Sequence, residues 1–263
     1  LVKVGPSREV LSDVDLLESL GVMPLGIPVF FKKVGFSDLP LTPDEGIKAF
    51  KASDLKVSDK AYQALQGQEQ AELAKLNHPV IQCKELEHTY PSGVDALKGV
   101  NLEIFEGDMV AIMGQNGSGK TTLAKHFNGL LLPTGGEILV DGQPTRDQGV
   151  FKLGQRVGYV FQNPDHQIFS EKIFDEVAFS PRLRNLSEEE VEARVTEALE
   201  AVGLAGLGEE DPFTLTKSGR QRVAVASVLA TNPDVLILDE PTTGLDYSEQ
   251  RSMMDMVRRL NQN

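Results

Sequence analysis

The hydrophobic positions change character along the chain. Over residues 1 to about 45 they fall in short clusters broken by Gly and Pro: Val10-Leu11, Leu16-Leu17, Val29-Phe30-Phe31 and Leu39-Pro40-Leu41. Clusters this short cannot close a core alone. Asp13 to Leu20 fits a short helix capped by Ser12 and stopped by Gly21; Thr42-Pro43-Asp44-Glu45 is an N-cap, a first-turn proline and acid that open another. The stretch reads as an appendage. From about 46 to 78 the composition turns to Lys, Gln, Glu, Ala and Ser, and Tyr62 to Leu76 is helix-compatible but polar over most of its surface. This reads as a partly helical linker.

From Val80 the pattern is that of a folded α/β domain. Val80 to Leu86 reads as a strand, Tyr90-Pro91-Ser92-Gly93 as a turn, and Val100 to Ile104 alternates strictly as a second strand. Met109 to Met113 is an apolar run of strand length, and Thr121 to Leu130 reads as a helix. Further strands are predicted at Gly136 to Val140, Val157 to Phe161 and Asp234 to Leu238. Ser187 followed by three glutamates, with Val191, Val195, Leu199 and Val202 on nearly one face, predicts an amphipathic helix ending at Gly203. The glutamate run there complements the helix dipole. Gln221 to Ala230 and Gln250 to Leu260 are also helical by pattern.

Between the run at Met109 and the helix at Thr121 lies Gly114-Gln115-Asn116-Gly117-Ser118-Gly119-Lys120-Thr121, a full match to the phosphate-binding loop G-x-x-x-x-G-K-[ST]. The glycines let the backbone turn its N–H groups inward, and the helix N-terminus adds partial positive charge. Lys120 supplies a full charge, and Thr121 places a hydroxyl where Mg²⁺ bridges phosphates. The strand at Asp234 ends in Asp239 and Glu240. A carboxylate there, at the sheet's carboxyl edge, orients water on Mg²⁺, and the next is placed to polarise the attacking water. A nucleoside triphosphate with Mg²⁺ is the expected ligand.

The 263 residues, 40% hydrophobic and 25% charged, suit one large or two small globular domains. Net charge -13 opposes non-specific binding to nucleic acid. With one cysteine, Cys83, no intrachain disulfide is possible, and its apolar setting reads as a buried structural thiol. No apolar run approaches the ~18 residues of a membrane span, and no signal-peptide pattern opens the chain. The chain starts with Leu rather than Met and stops at Asn263 just after a helical stretch, the pattern of a fragment.

With these residues in place, Val80 to the end resembles the nucleotide-binding domain of ABC ATPases. The resemblance implies a P-loop fold with a mixed core sheet, an antiparallel β subdomain and an α-helical signature subdomain. It places Tyr90 against adenine, and Gly114, Asn116, Gly117, Ser118, Gly119, Lys120, Thr121 and Thr122 around the phosphates. Gln162 stands as the Q-loop glutamine reaching Mg²⁺ and the γ-phosphate, Asp239 and Glu240 resemble the Walker B pair with Glu240 as general base, and Asp246 stands in the D-loop. Leu215-Thr216-Lys217-Ser218-Gly219-Arg220-Gln221-Arg222 stands at the signature, which serves the nucleotide of a partner domain in a head-to-tail pair.

Phe161-Gln162-Asn163-Pro164-Asp165-His166-Gln167-Ile168-Phe169 and Asp175-Glu176-Val177-Ala178-Phe179 further resemble the ATPases of energy-coupling-factor (ECF) importers of vitamins and transition-metal ions. There the segment Asn163 to Phe169 meets a membrane scaffold subunit, with a separate membrane subunit choosing the solute. His166 has no Cys or His at ligand spacing and reads as an interface or surface residue. Val4 to Asp13 and Leu39 to Thr42 resemble the tail after the catalytic core of these same ATPases. The expected organisation is therefore residues 1–45 as a small α/β tail of an upstream ATPase half, 46–78 as linker, and 79–263 as an ABC domain, peripheral on the cytoplasmic face of the membrane.

The chain departs from the family at the signature, usually L-S-G-G-Q. Thr216 stands for Ser, Lys217 and Ser218 for the glycines, and Gly219 for Gln. Ser218 adds a side chain where backbone approaches phosphate, and Gly219 removes a polar one, so the two sites of a pair are expected to differ. The family's switch histidine follows the D-loop by a helix and a strand, and His78, His88, His126 and His166 all precede it. The stretch is thus expected to bind ATP better than it hydrolyses it. Two other readings stay open: a soluble tandem ABC ATPase acting on ribosomes or DNA, and a nucleotide-binding subunit that assembles without turnover.

Overall fold

The structure, a computed structural model, describes residues 3–73 and 79–262. Two compact units divide the chain: Leu1–Leu73 with Leu245–Ser252, and Ala74–Gly244 with Met253–Asn263.

The first unit is helical, where an α/β tail was expected: α1 (Ser7–Leu11), α2 (Val14–Ser19), α3 (Gly26–Lys33), α4 (Pro43–Ala52) and α5 (Asp59–Leu73). The run Val29-Phe30-Phe31 belongs to α3, because Pro28 in its first turn presets a helical φ and one turn aims Phe31 inward. Phe31 is buried, with Phe30 and Phe36 edge-on at 5.2 and 5.0 Å. Asp13, rather than Ser12, caps α2, accepting from the Leu16 N–H, since Ser12 already closes α1 by donating to Arg8 O. Thr42 caps α4 as expected, but α4 runs through residue 45, so the expected start of the linker falls inside a helix. The linker helix predicted over Tyr62 to Leu76 is α5; residues 74–78 lie outside the described residues. Within this unit Tyr247 donates its N–H to Gly21 O at 3.1 Å.

The second unit holds, in order, β1 (Pro79–Thr89), β2 (Asp95–Phe105), α6 (Lys120–Phe127), β3 (Gly135–Val140), β4 (Gln143–Pro144), α7 (Thr145–Gln148), α8 (Val150–Arg156) and β5 (Val157–Val160). Then come α9 (Ile173–Leu183), α10 (Glu188–Val202), α11 (Lys217–Leu229) and β6 (Val235–Leu238). The last helix, α12 (Tyr247–Gln262), is shared between the units. β1 is an inner strand of an antiparallel sheet ordered β2-β1-β3-β4, with Cys83 opposite both Leu102 and Ile138. Alternation puts Ile81 and Cys83 on one face, where Leu123 and Phe127 of α6 close a core with Leu97, Ile138 and Val157. Burial pushes the Cys83 thiol up to about 11, so it stays protonated and packs as a hydrophobe.

β5 and β6 pair in parallel, Val157 opposite Val235 and Val160 opposite Leu238. Helix α11 lies against β5 and buries Val223, Ala224, Val225 and Ala226 completely. Gly158 makes that approach possible: a Cβ there would stand 2.3 Å from Val228 Cγ1. The expected mixed sheet is therefore, among the described residues, this parallel pair. Met109 to Met113 forms no strand; Met113 is 89% exposed. A strand exists through its neighbours' hydrogen bonds, and neither β5 nor β6 gives it any.

In the helical part α10 buries Val191, Val195, Leu199 and Val202 along one face. Its start is a reciprocal capping box between Ser187 and Glu190, and it stops at Gly203, φ 75°. Among the described residues no helix is long and apolar enough to cross a membrane.

Candidate active site

The loop before α6 is shaped by glycine. Gly117 and Gly119 have φ of 81° and 91°, where a side chain is strained, and a Cβ on Gly119 would lie 2.6 Å from Ala96 O of β2. The loop thus closes against the β-sheet, and α6 starts at Lys120 with its free N–H groups facing the turn. Lys120 Nζ donates to Gly114 O and Gln115 O, both at 3.0 Å, which folds its charge over the loop. Asn116, Gly117 and Ser118 are exposed at the tip.

From the far side β6 delivers the two acids. Thr121 Oγ1 donates to Asp239 Oδ1 at 3.1 Å, joining residues 118 positions apart. Asp239 is anchored through its N–H to Val160 O at 3.1 Å, and its Oδ2 accepts from the Tyr159 phenol at 2.8 Å. Burial, reinforced by the hydrogen bond to Asp239, pushes the Tyr159 phenol upward, so it remains a donor. Glu240 sits at φ 45°, a conformation that costs a non-glycine residue about 1 kcal/mol and that turns its side chain off the strand. Its Oε2 accepts from Gln162 Nε2 at 2.6 Å and from Thr243 Oγ1 at 3.0 Å.

Tyr90 is half-buried, its phenol 3.0 Å from Thr122 Oγ1, so Thr122 faces Tyr90 from the buried side of α6. Beneath lies a histidine pair. His126 Nδ1 donates to Thr122 O at 2.7 Å, which leaves Nε2 to accept from His88 Nδ1 at 3.1 Å; the His88 ring meets Tyr90 edge-on at 4.7 Å. Burial lowers the His126 pKa.

The altered signature opens α11. Thr216 caps the helix, accepting from Gly219 N–H at 3.2 Å. Ser218 is buried, so it does not present the side chain expected of it; one helical step turns that position inward. Gly219 is glycine because a Cβ would press on Leu215 Cβ at 2.8 Å. Lys217 donates to Thr243 O at 2.8 Å, tying the signature to the turn that also holds Glu240. Arg220 Nε donates to Asp165 Oδ1 at 2.6 Å, linking the helix to the segment after Gln162. Asp246, in the first unit, accepts from Glu249 N–H at 2.8 Å while Glu249 accepts from Asp246 N–H at 3.3 Å; it caps α12. His166 closes a short turn over Pro164–His166, and no group of three His, Cys, Asp or Glu at metal-binding distance occurs among the described residues.

Tyr159, Thr243, His88 and His126 were not singled out by the sequence. The only signal at Tyr159 was its place in the strand predicted over Val157 to Phe161, directly ahead of Gln162.

The residues fit a nucleoside triphosphate with Mg²⁺. A glycine cradle, one lysine, and a hydroxyl facing a single carboxylate suit a cation whose other ligands are phosphate oxygens and water, rather than a cage of protein acids. A family profile described as ABC transporter matches residues 97–243. The chain belongs to the ABC transporter family. It is 52% identical over 265 residues to an ABC transporter ATP-binding protein of Caldanaerobacter subterraneus subsp. tengcongensis, covering 100% of this chain and 47% of that protein. It is also 44% identical over 184 residues to the energy-coupling factor transporter ATP-binding protein EcfA of Methanocaldococcus jannaschii, covering 69% of this chain and 66% of that one. The chain thus spans about half to two thirds of the length of these ABC transporter relatives. Among solved structures, cbiO1 of Clostridium perfringens, part of the ABC transporter complex cbiONQ, superposes with a TM-score of 0.66 at 39% identity over 71% of this chain and 75% of that one. A dimeric ATP-binding cassette bound to ADP and Pi gives 0.61 at 33% identity over 69% and 82%. The P-loop ABC fold, with an antiparallel sheet and a helical part, is shared.

Proposed function

We propose that the chain supplies an ATP-binding and hydrolysing domain of an ECF-type membrane importer. One observation carries the reading: three separated stretches converge, with Lys120 over its loop, Thr121 on Asp239, and Gln162 on Glu240. Lys120 and the loop amides hold the phosphates of ATP; Asn116 and Ser118 frame them, and Tyr90 stacks on adenine. Thr121 and Asp239 would hold Mg²⁺, Asp239 by way of water, and Gln162 would reach the same ion. Bound Mg²⁺ neutralises charge building on the γ-phosphate. Glu240 accepts the proton of the attacking water, in an orientation set by Gln162 and Thr243.

The partner reading is a second ABC domain, paired head to tail across Thr216 to Gly219 and Asp246, and a membrane scaffold meeting Asn163 to Phe169. Dimeric packing is reported for one of the similar cassettes, in two structures, and the similar cbiO1 is part of an ABC transporter complex. On this chain Phe169 and Phe179 form an exposed edge-to-face pair at 4.9 Å, an apolar patch suited to a partner. One longer relative aligns along the whole of tail, linker and cassette, and the tail of residues 1–45 is read as the end of an upstream half. The cytoplasmic face of the membrane follows as the place of work. A vitamin or transition-metal ion is the solute class, chosen by a separate membrane subunit.

A non-hydrolysing assembly role is the second reading, favoured by Lys217, whose ammonium is committed to Thr243 O rather than presented to a partner's nucleotide.

The test has two parts. Lys120→Ala is expected to abolish ATP binding by the purified protein, measured by equilibrium titration; retained binding refutes the nucleotide site. Phe169→Asp is expected to abolish co-purification with the membrane scaffold while ATP binding persists; undiminished capture refutes the scaffold surface.

A further inference from the structure

Asp239 is held on both of its oxygens, and from opposite sides. Oδ1 accepts from Thr121, at the start of α6, and Oδ2 accepts from Tyr159 on β5. Tyr159 is itself fixed. It is 7% exposed, its ring meets Phe161 edge-on at 5.1 Å, and the parallel register sets it opposite Ile237, two residues before Asp239. A carboxylate at a strand end turns readily about χ2, a broad and soft torsion. Two donors on two elements remove that freedom.

We propose that Tyr159 is a positioning residue for the divalent cation that accompanies ATP: its phenol holds the Asp239 carboxylate in the one orientation that faces Thr121. The proposal rests on the reading of Thr121 and Asp239 as the Mg²⁺ pair. Its physical basis is general to metal sites, where partners behind the ligands fix their direction and their loss typically costs ~10–100-fold in metal affinity. If the carboxylate acts through water, a rotated Asp239 would misplace that water rather than a ligand atom. A purely structural role, in which Asp239 only satisfies a buried phenol, predicts an equal loss with and without the cation.

Tyr159→Phe removes one oxygen and keeps the ring. ATP binding is titrated for wild type, Tyr159→Phe, Asp239→Asn and the double variant, across free Mg²⁺ concentrations and in EDTA. Mn²⁺ binding in the presence of ATP is followed by electron paramagnetic resonance. In Tyr159→Phe the Mg²⁺ concentration for half effect is expected to rise ~10-fold, the Mn²⁺ affinity to fall alike, and ATP affinity in EDTA to stay unchanged. In the Asp239→Asn background Tyr159→Phe is expected to add nothing. The proposal is overturned if Asp239→Asn shifts the Mg²⁺ response and Tyr159→Phe does not, or if Tyr159→Phe weakens ATP equally in EDTA. Should Tyr159→Phe fail to fold, the structural role is the correct one. If Asp239→Asn itself leaves the Mg²⁺ response unmoved, the underlying Mg²⁺ reading fails, and this inference with it.

Discussion

Gln162 Nε2 lies 2.6 Å from Glu240 Oε2 and donates to it, across 78 residues of chain. With Thr243 donating to the same oxygen, the carboxylate proposed as general base is aimed by two neutral groups. Glu240→Gln keeps the size and removes the basicity. Steady-state phosphate release is expected to fall ~10²–10⁴-fold while ATP binding persists. A rate within ~2-fold of wild type assigns the base elsewhere.

Tyr90 touches α6 through Thr122, so its ring and the phosphate loop share one support. Base–aromatic stacking is worth about 1–3 kcal/mol by alanine substitution. Tyr90→Ala is expected to weaken ATP ~10-fold while leaving inorganic tripolyphosphate unaffected. Tyr90→Phe, which loses only the phenol, should retain most of the affinity. Equal loss for ATP and tripolyphosphate removes Tyr90 from the adenine site.

His126 is wholly buried and its pKa is lowered by that burial. The unfolded chain therefore binds a proton more readily than the folded one. Stability is complete above the ordinary histidine range near pH ~6.5 and declines as pH falls through it toward the lower folded value. Thermal melts of wild type from pH 8 to 5.5 should show a drop in Tm that flattens in His126→Gln. An identical slope in both places the pH dependence on other groups.

Gly158 faces Val228 so closely that a single methyl collides at 2.3 Å. Gly158→Ala is expected to destabilise by about 1–3 kcal/mol in denaturant unfolding. Val228→Ala in the same protein should recover much of it, since it removes the colliding atom. If the two losses simply add, the contact between β5 and α11 is looser than the structure shows.

Local chemistry was legible where one residue type is required at one place. The glycines of the loop, the strand ending in Asp239 and Glu240, and the Ser187 cap of α10 all follow from the sequence. What was not legible depends on neighbours distant in sequence. The Met109 to Met113 run has strand composition, yet no neighbouring strand pairs with it among the described residues. Val29 to Phe31 has the β-branched and aromatic content of a strand, but Pro28 and packing around Phe31 make it helical. Tyr159 could not be tied to Asp239 until β5 and β6 were paired in register. Ser218 read as an exposed intrusion, and only the phase of α11 turns it inward.

The bridge from Asp165 to Arg220 makes the turn ahead of α9 and the first turn of α11 a single strut. Arg220 also grips Leu215 O, so the strut is braced at both of its ends. A chain of side-chain bonds therefore links the surface around Asp165 to the turn before α11, where Thr216 and Lys217 lie, by a route that does not pass through Lys120 or the phosphate loop. Through Lys217 and Thr243 the bonded contacts continue from α11 to Glu240.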